Sequence, residues 1–154
     1  DGIFGKILDQ SPDFIELLVD RGSLKTYSIL NYLSSNPQNL SRCGFAITKM
    51  VGIHYKYRYT INSEICVKLE QNMYEKVKAS EYGNFLEFLS VEPDELNSSS
   101  IDIEVVAKFS GGAAYDFLEI PGKIQQFMLD CLNAMDIEIP YPHLTLDGLP
   151  SRIQ

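Results

Sequence analysis

The stretch from Asn97 to Leu146 constrains this chain more than any other part of it. It opens with Ile101, Ile103, Val105, Ala107 and Phe109 alternating with Asp102, Glu104 and Lys108. Side chains of an extended strand point to opposite faces in turn, so period two predicts one buried face and one wet face. Next come Ile124, Phe127, Met128, Cys131, Leu132 and Met135, spaced as a single apolar stripe along a helix. Ile137 and Ile139 then restart an extended segment that stops at Pro140 and Pro142. Strand, helix and strand in that order predict a helix laid across a sheet, which covers the apolar face of each.

The residues before this stretch repeat the theme. Phe45, Ile47, Val51, Ile53, Tyr55, Tyr57 and Tyr59 alternate with Thr48, His54, Lys56 and Arg58, predicting one long half-buried strand. Only Lys49 breaks its apolar side. Asn62 or Ser63 caps a following helix, with Glu64 in the first turn, and Ile65, Leu69, Met73 and Val77 recur at four-residue intervals up to Lys78. Phe85 to Val91 reads as a strand closed by Glu92-Pro93-Asp94. The order from Phe45 is therefore β-α-β-β-α-β, the ferredoxin-like plan with two helices on one face of an antiparallel sheet. Pro121-Gly122 interrupts a helix running from Tyr115, because proline has no N–H for the Phe117 carbonyl. The expectation is a kink there; the alternative is a main helix that starts with Pro121 at its first position.

Residues 3–42 read as short strands parted by turns. Ile3 to Leu8 precedes the turn cluster Asp9-Gln10-Ser11-Pro12, and Phe14 to Val19 precedes Asp20-Arg21-Gly22-Ser23, where Gly22 supplies the positive φ of a tight hairpin. Leu24 to Leu30 returns, Asn31 to Pro37 forms a turn or helical loop, and a last strand falls near Gln38–Ser41. Short strands at this spacing predict a small β-barrel or part of one. A piece this small is marginal alone, so it packs against neighbours.

Composition narrows the chemistry. With 21 acidic against 13 basic residues the formal charge is −8, which repels phosphate backbones and opposes nucleic acid as a partner. Lys56 and Arg58 form a weak cationic cluster, read as a solvated strand face. Cys43, Cys66 and Cys131 are odd in number and lack C-x-x-C spacing, against a disulfide framework or a structural zinc site; Cys131 lies on the helix stripe as a core residue. His54 and His143 fall in different elements without a ligand at metal spacing. Ser110-Gly111-Gly112-Ala113-Ala114 lacks the Lys-Ser/Thr of a P-loop and the third glycine of a dinucleotide fingerprint, so it reads as a plain loop. Asp102 and Glu104 share the wet face as a solvated pair, and no serine sits in a G-x-S-x-G context. The residues thus assign no catalytic, cofactor-binding or metal site and no small-molecule substrate, and the chain is not read as an enzyme. No apolar run approaches the roughly 20 residues needed to cross a bilayer. The chain opens at Asp1 without an initiator Met, which reads as a fragment or processed piece, so that lack says little about the parent protein.

Three runs in order carry a resemblance. Ser98-Ser99-Ser100-Ile101-Asp102-Ile103-Glu104-Val105-Val106-Ala107, Phe117-Leu118-Glu119-Ile120 and Ile139-Pro140-Tyr141-Pro142-His143-Leu144-Thr145-Leu146 resemble the C-terminal domain of the small-conductance mechanosensitive channel (MscS) family. Gly5-Lys6-Ile7, Asn31, Ser34-Ser35-Asn36-Pro37, Asn39 and Ser41-Arg42 resemble that family's middle β-domain, and Ile53 to Thr60 resembles the first strand of its α/β domain. Three departures are Ile29-Leu30-Asn31, where the family has Ile-Pro-Asn, the interrupting Pro121, and an irregular strand after Glu81.

The resemblance implies an α+β chain: a Sm-like middle β-domain over 1–42, a ferredoxin-like α/β domain over 43–140, and a C-terminal strand and tail over 141–154. It implies the cytoplasmic vestibule of a tension-gated ion channel of the cell membrane, a homoheptameric cage with side portals that supports assembly and filters solutes. Tyr141, Pro142, His143, Leu144, Thr145 and Leu146 would form the axial strand that pairs with sister subunits. The competing reading is a stand-alone ferredoxin-like sensor or protein-binding adaptor.

Overall fold

The structure is a computed structural model and describes residues 3–19, 22–97 and 100–140. Its strands form two separate three-stranded antiparallel sheets. The first holds β1 (Gly5–Gln10), β2 (Phe14–Val19) and β3 (Leu24–Ser28) in the order β1-β2-β3. Gly22 takes φ +80° between β2 and β3, the left-handed backbone that its place in the turn predicts.

Two strand expectations fail here, both because a short polar side chain satisfies the orphan N–H of a helix start. The strand predicted over Leu24–Leu30 stops at Ser28, whose Oγ accepts from the Asn31 N–H and opens α1 (Ile29–Ser34). No strand forms over Gln38–Ser41. Instead Asn39 Oδ1 accepts from the Arg42 N–H at 3.1 Å and opens α2 (Leu40–Cys43).

The second sheet contains β4 (Phe45–Ile53), β5 (Leu86–Leu96) and β6 (Ile101–Phe109) in the order β4-β6-β5. The alternation in β6 is borne out: Ile101, Ile103, Val105, Ala107 and Phe109 are all buried. Each neighbour pairs along it, β4 from Phe45 opposite Phe109 to Ile53 opposite Ile101. Helices α3 (Cys66–Ala79) and α4 (Ile120–Ala134) pack on each other, α3 against β5 and α4 against β4. Their predicted stripes meet the sheet, with Ile65, Leu69, Met73 and Val77 buried from one and Ile124, Met128, Cys131 and Leu132 from the other. These are the first five elements of the ferredoxin-like plan. Its sixth, expected from Ile137, is not a strand within residues 137–140.

Three local readings are also corrected. The long strand from Phe45 ends at Ile53, because His54 Nδ1 accepts from the Lys56 N–H at 3.1 Å and caps a 3₁₀ turn over Tyr55–Tyr57. Lys56 and Arg58 therefore lie on turns and not on a strand face. A π-turn over Ile61–Ile65 then feeds α3, with no side-chain cap from Asn62 or Ser63. No kink forms at Pro121. A 3₁₀ turn over Gly111–Asp116 is followed by α4, with Pro121 in its first turn, where a missing N–H costs nothing. Strand β5 also runs beyond Val91 through Pro93, which an edge strand tolerates.

Gly111 belongs to neither a phosphate cradle nor a free loop. A Cβ built there would stand 1.9 Å from the Ser41 carbonyl oxygen, and one at Gly112 2.4 Å from the Phe85 ring. Gly111 lets the α2 backbone lie directly on the turn that follows β6, and Gly112 leaves room for the Phe85 ring. Gly111→Ala is expected to destabilise the fold by about 2 kcal/mol, the scale of forced overpacking. Urea unfolding measures this, and an unchanged midpoint would remove close approach as the reason for glycine at this position.

Candidate functional site

The junction between the two sheets is aromatic. Phe117 stacks on Phe4 with ring centroids 5.0 Å apart and meets Phe45 edge-on at 5.0 Å, and Phe45 stacks on Phe109 at 5.7 Å. Lys6 Nζ lies 5.2 Å from the Tyr115 ring centroid. The segment between β6 and α4 thus ties the first sheet to the core of the second.

Beyond that junction the first sheet is unfinished. Ile15 and Leu17 are its only buried side chains among the described residues, while Leu8, Leu24, Leu30 and Leu33 are 52%, 55%, 76% and 62% exposed. β1 and β3 each pair only with β2 among the described residues, leaving two open edges beside this apolar surface. In the second sheet the β5 edge is blunted. Glu70 Oε2 accepts from the Val91 N–H at 3.1 Å, Pro93 has no N–H, and Glu92, Asp94 and Glu95 add charge. The outer edge of β4 has no ladder partner among the described residues.

The expected axial strand, Tyr141 to Leu146, lies outside the described residues. The residues just before it are held by the turn after β4. Lys56 Nζ contacts Glu138 Oε2 at 2.7 Å, and the His54 N–H donates to the Glu138 carbonyl at 3.3 Å. Tyr57 Oη donates to the Asp136 carbonyl at 3.1 Å and accepts from the Glu138 N–H at 3.2 Å. The hydrogen bond to Glu138 raises Lys56 above its usual value. The same bond, then the Lys56 charge and the more distant His54, hold Glu138 below its own. Sequence reading missed this contact, because its two sides are far apart in the chain and Lys56 mimics a strand position.

The remaining candidate chemistry resolves into structure. Asp102 shares the partly exposed face of β6 with Glu104, as expected, and also accepts from Asn97 Nδ2 and, at 2.9 Å, from Ser100 Oγ, fastening the β5–β6 connection. Burial pushes the Cys66 thiol up to about 11 and raises Cys131 as well, so both stay protonated and unreactive near neutrality. Among the described residues, no group of three or more His, Cys, Asp and Glu is placed to hold a metal ion. No helix among them is long and apolar enough to cross a membrane.

No protein-family model and no curated protein matches the sequence. Solved structures do match, and they define the fold as the one found in part of the MscS and MSL1 chains. Helicobacter pylori MscS in its closed state aligns with 98% of this chain and 56% of its own, at TM-score 0.65 and 16% identity. Arabidopsis thaliana MSL1 aligns with 92% of this chain and 50% of its own, at TM-score 0.55 and 8% identity. Wild-type MSL1 in a second structure gives 91%, 48%, 0.57 and 9%. The chain spans about half the length of the channel chains that it matches.

The Lys56–Glu138 contact has a definite pH window. Because the Glu138 pKa is lowered, its contribution is complete above the ordinary carboxyl value of 4.5 and is lost as pH falls through the lowered one. Because the Lys56 pKa is raised, the contribution from that side is complete below 10.5 and is lost as pH rises through the raised value. NMR titration of the Glu138 carboxyl is expected to place its midpoint below 4.5, moving back toward that value in Lys56→Gln. A midpoint indifferent to the substitution would show that the ion pair does not form in solution.

Proposed function

We propose that this chain is an MscS-family portion, part of the cytoplasmic vestibule of a tension-gated ion channel. The observation that carries the reading is the alignment of 98% of the chain with an MscS structure at TM-score 0.65, in a fold that joins two unlike sheets. The ordered runs Ser98 to Ala107, Phe117 to Ile120 and Ile139 to Leu146 support it independently. In this reading residues 1–42 are the Sm-like middle β-domain, 43–140 the ferredoxin-like domain, and 141–154 the axial strand and tail. The parent protein is anchored in the cell membrane by other segments, with this portion on the cytoplasmic side.

The role is assembly and solute filtering, not catalysis. Open edges on β1 and β3, beside exposed Leu24, Leu30 and Leu33, suit a sheet completed by identical neighbours. Tyr141, Pro142, His143, Leu144, Thr145 and Leu146 supply a second contact around the axis, and the family's ring has seven copies. The charge of −8 per chain gives such a cage a net negative field, which raises the cation concentration around it.

Two measurements on the protein expressed from its complete gene test the reading. Membrane patches carrying it are expected to open a conductance under suction, and the detergent-solubilised protein is expected to have the mass of a ring. Deleting residues 141–154 is expected to lower that mass or broaden its distribution. A monomer or dimer with no tension-activated current would replace this proposal with the sensor or adaptor reading.

A further inference from the structure

The outer face of the second sheet, turned away from α3 and α4, is laid out in cross-strand rows. Residues directly opposite each other in antiparallel strands project to the same side. One row holds Glu92, Glu104 and Met50, and the next has Val106 at its centre. The third holds Phe88, Lys108 and Ala46. Along the central strand the order of charge is therefore acidic, neutral, basic.

This layout suits water poorly. Glu92 and Glu104 are like charges directly opposite each other, an arrangement that destabilises a sheet. Neither forms an ion pair among the described residues. Lys108 lies at the far end of the face, where its Nζ contacts Glu87 Oε2 at 3.0 Å and stays half exposed. Met50 and Phe88 are 52% and 51% exposed, so no described element covers them.

Charge decides what fits such a face. Consider two copies related by a twofold axis that runs across the strands and passes between the sheets at Val106. Their rows then meet in reverse order. Lys108 of each copy comes over Glu104 of the other, beside its Glu92, and Met50 comes over the small Ala46. A twofold along the strands instead sets Lys108 on Lys108 and Glu104 on Glu104. Of the two, the first neutralises both ends.

We propose that this face docks on the same face of a second copy, as two antiparallel sheets centred on Val106. Three strands give an area at the small end for a complex, so the contact is reversible. The inference goes beyond the channel reading and does not rest on it. Copies related by the rotation of a seven-membered ring cannot meet through a twofold, so the contact joins chains of different rings, or single chains where no ring forms.

Binding between separately purified preparations of the protein expressed from its complete gene tests the face, with one preparation immobilised and the other in solution. Wild type is expected to bind wild type. Lys108→Glu against itself, and Glu104→Lys against itself, are expected to bind about tenfold more weakly, the scale of reversing two exposed charge pairs. Lys108→Glu against Glu104→Lys is expected to regain the wild-type response, because both contacts are again opposite in sign. The double variant against itself is expected to do the same, which shows that neither substitution harms the fold. No binding between wild-type preparations, binding indifferent to the like-charge variants, or a mixed pairing as weak as the like ones overturns the proposal. The mass of each preparation before mixing tests the ring separately. Monomers that bind each other leave the sheet contact standing and overturn the ring, whereas rings that ignore each other do the reverse.

Discussion

The apolar row of β6 is the interaction on which the rest of the fold depends. Ile103, Val105, Ala107 and Phe109 are completely buried, and the strand is paired on both sides. β4 and β5 have no ladder to each other, so their alignment exists only through β6. The helix stripes need that same face, because α3 reaches β5 and α4 reaches β4. Phe109 extends the dependence further. It stacks on Phe45, Phe45 meets Phe117, and Phe117 stacks on Phe4, so the first sheet hangs from the end of β6 by a chain of rings.

The two sheets are built to different standards. The second has two helices over one face and a contiguous core. The first has three short strands and two buried side chains among the described residues. Three strands are near the lower limit for an independent sheet, and they need an apolar face covered by something. Among the described residues much of that cover is missing, and large aliphatic side chains on α1 and β3 are exposed.

Legibility in the sequence followed the range of the interactions. Period two in β6 and the stripes of α3 and α4 were readable because one buried face dictates every second, or every third and fourth, residue. Gly22 was readable because the positive φ belongs to a turn spanning a few residues. The ends of β3 and β4 were not, because Ser28 and His54 act as caps inside patterns that continue to alternate. Tyr55 and Tyr57 sustained that illusion. Their rings pack on the core while their hydroxyls reach the Asn97 and Asp136 carbonyls, so they look apolar where the chain has already turned. Gly111 was visible as a glycine, but its reason, the Ser41 carbonyl, lies in a distant element. Of the candidate interface, the axial strand is an expectation of the family resemblance that falls on residues 141–146, outside the described residues, whereas the open edges emerged from the fold.

The unequal blunting of edges limits the symmetry available to copies of this chain. Among the described residues the first sheet has two open edges that are chemically different, so one copy's β1 can meet another's β3 in a heterologous contact. Repeated contacts of that kind either close after a fixed number of rotations or grow without end. Among the described residues the second sheet has one open edge, which meets its own kind only across a twofold axis. Among contacts between like sheets, rotational order above two is therefore open to the smaller sheet and not to the larger one. In the ring proposed above, a change in the twist of three short strands would alter how many copies fit around the circle.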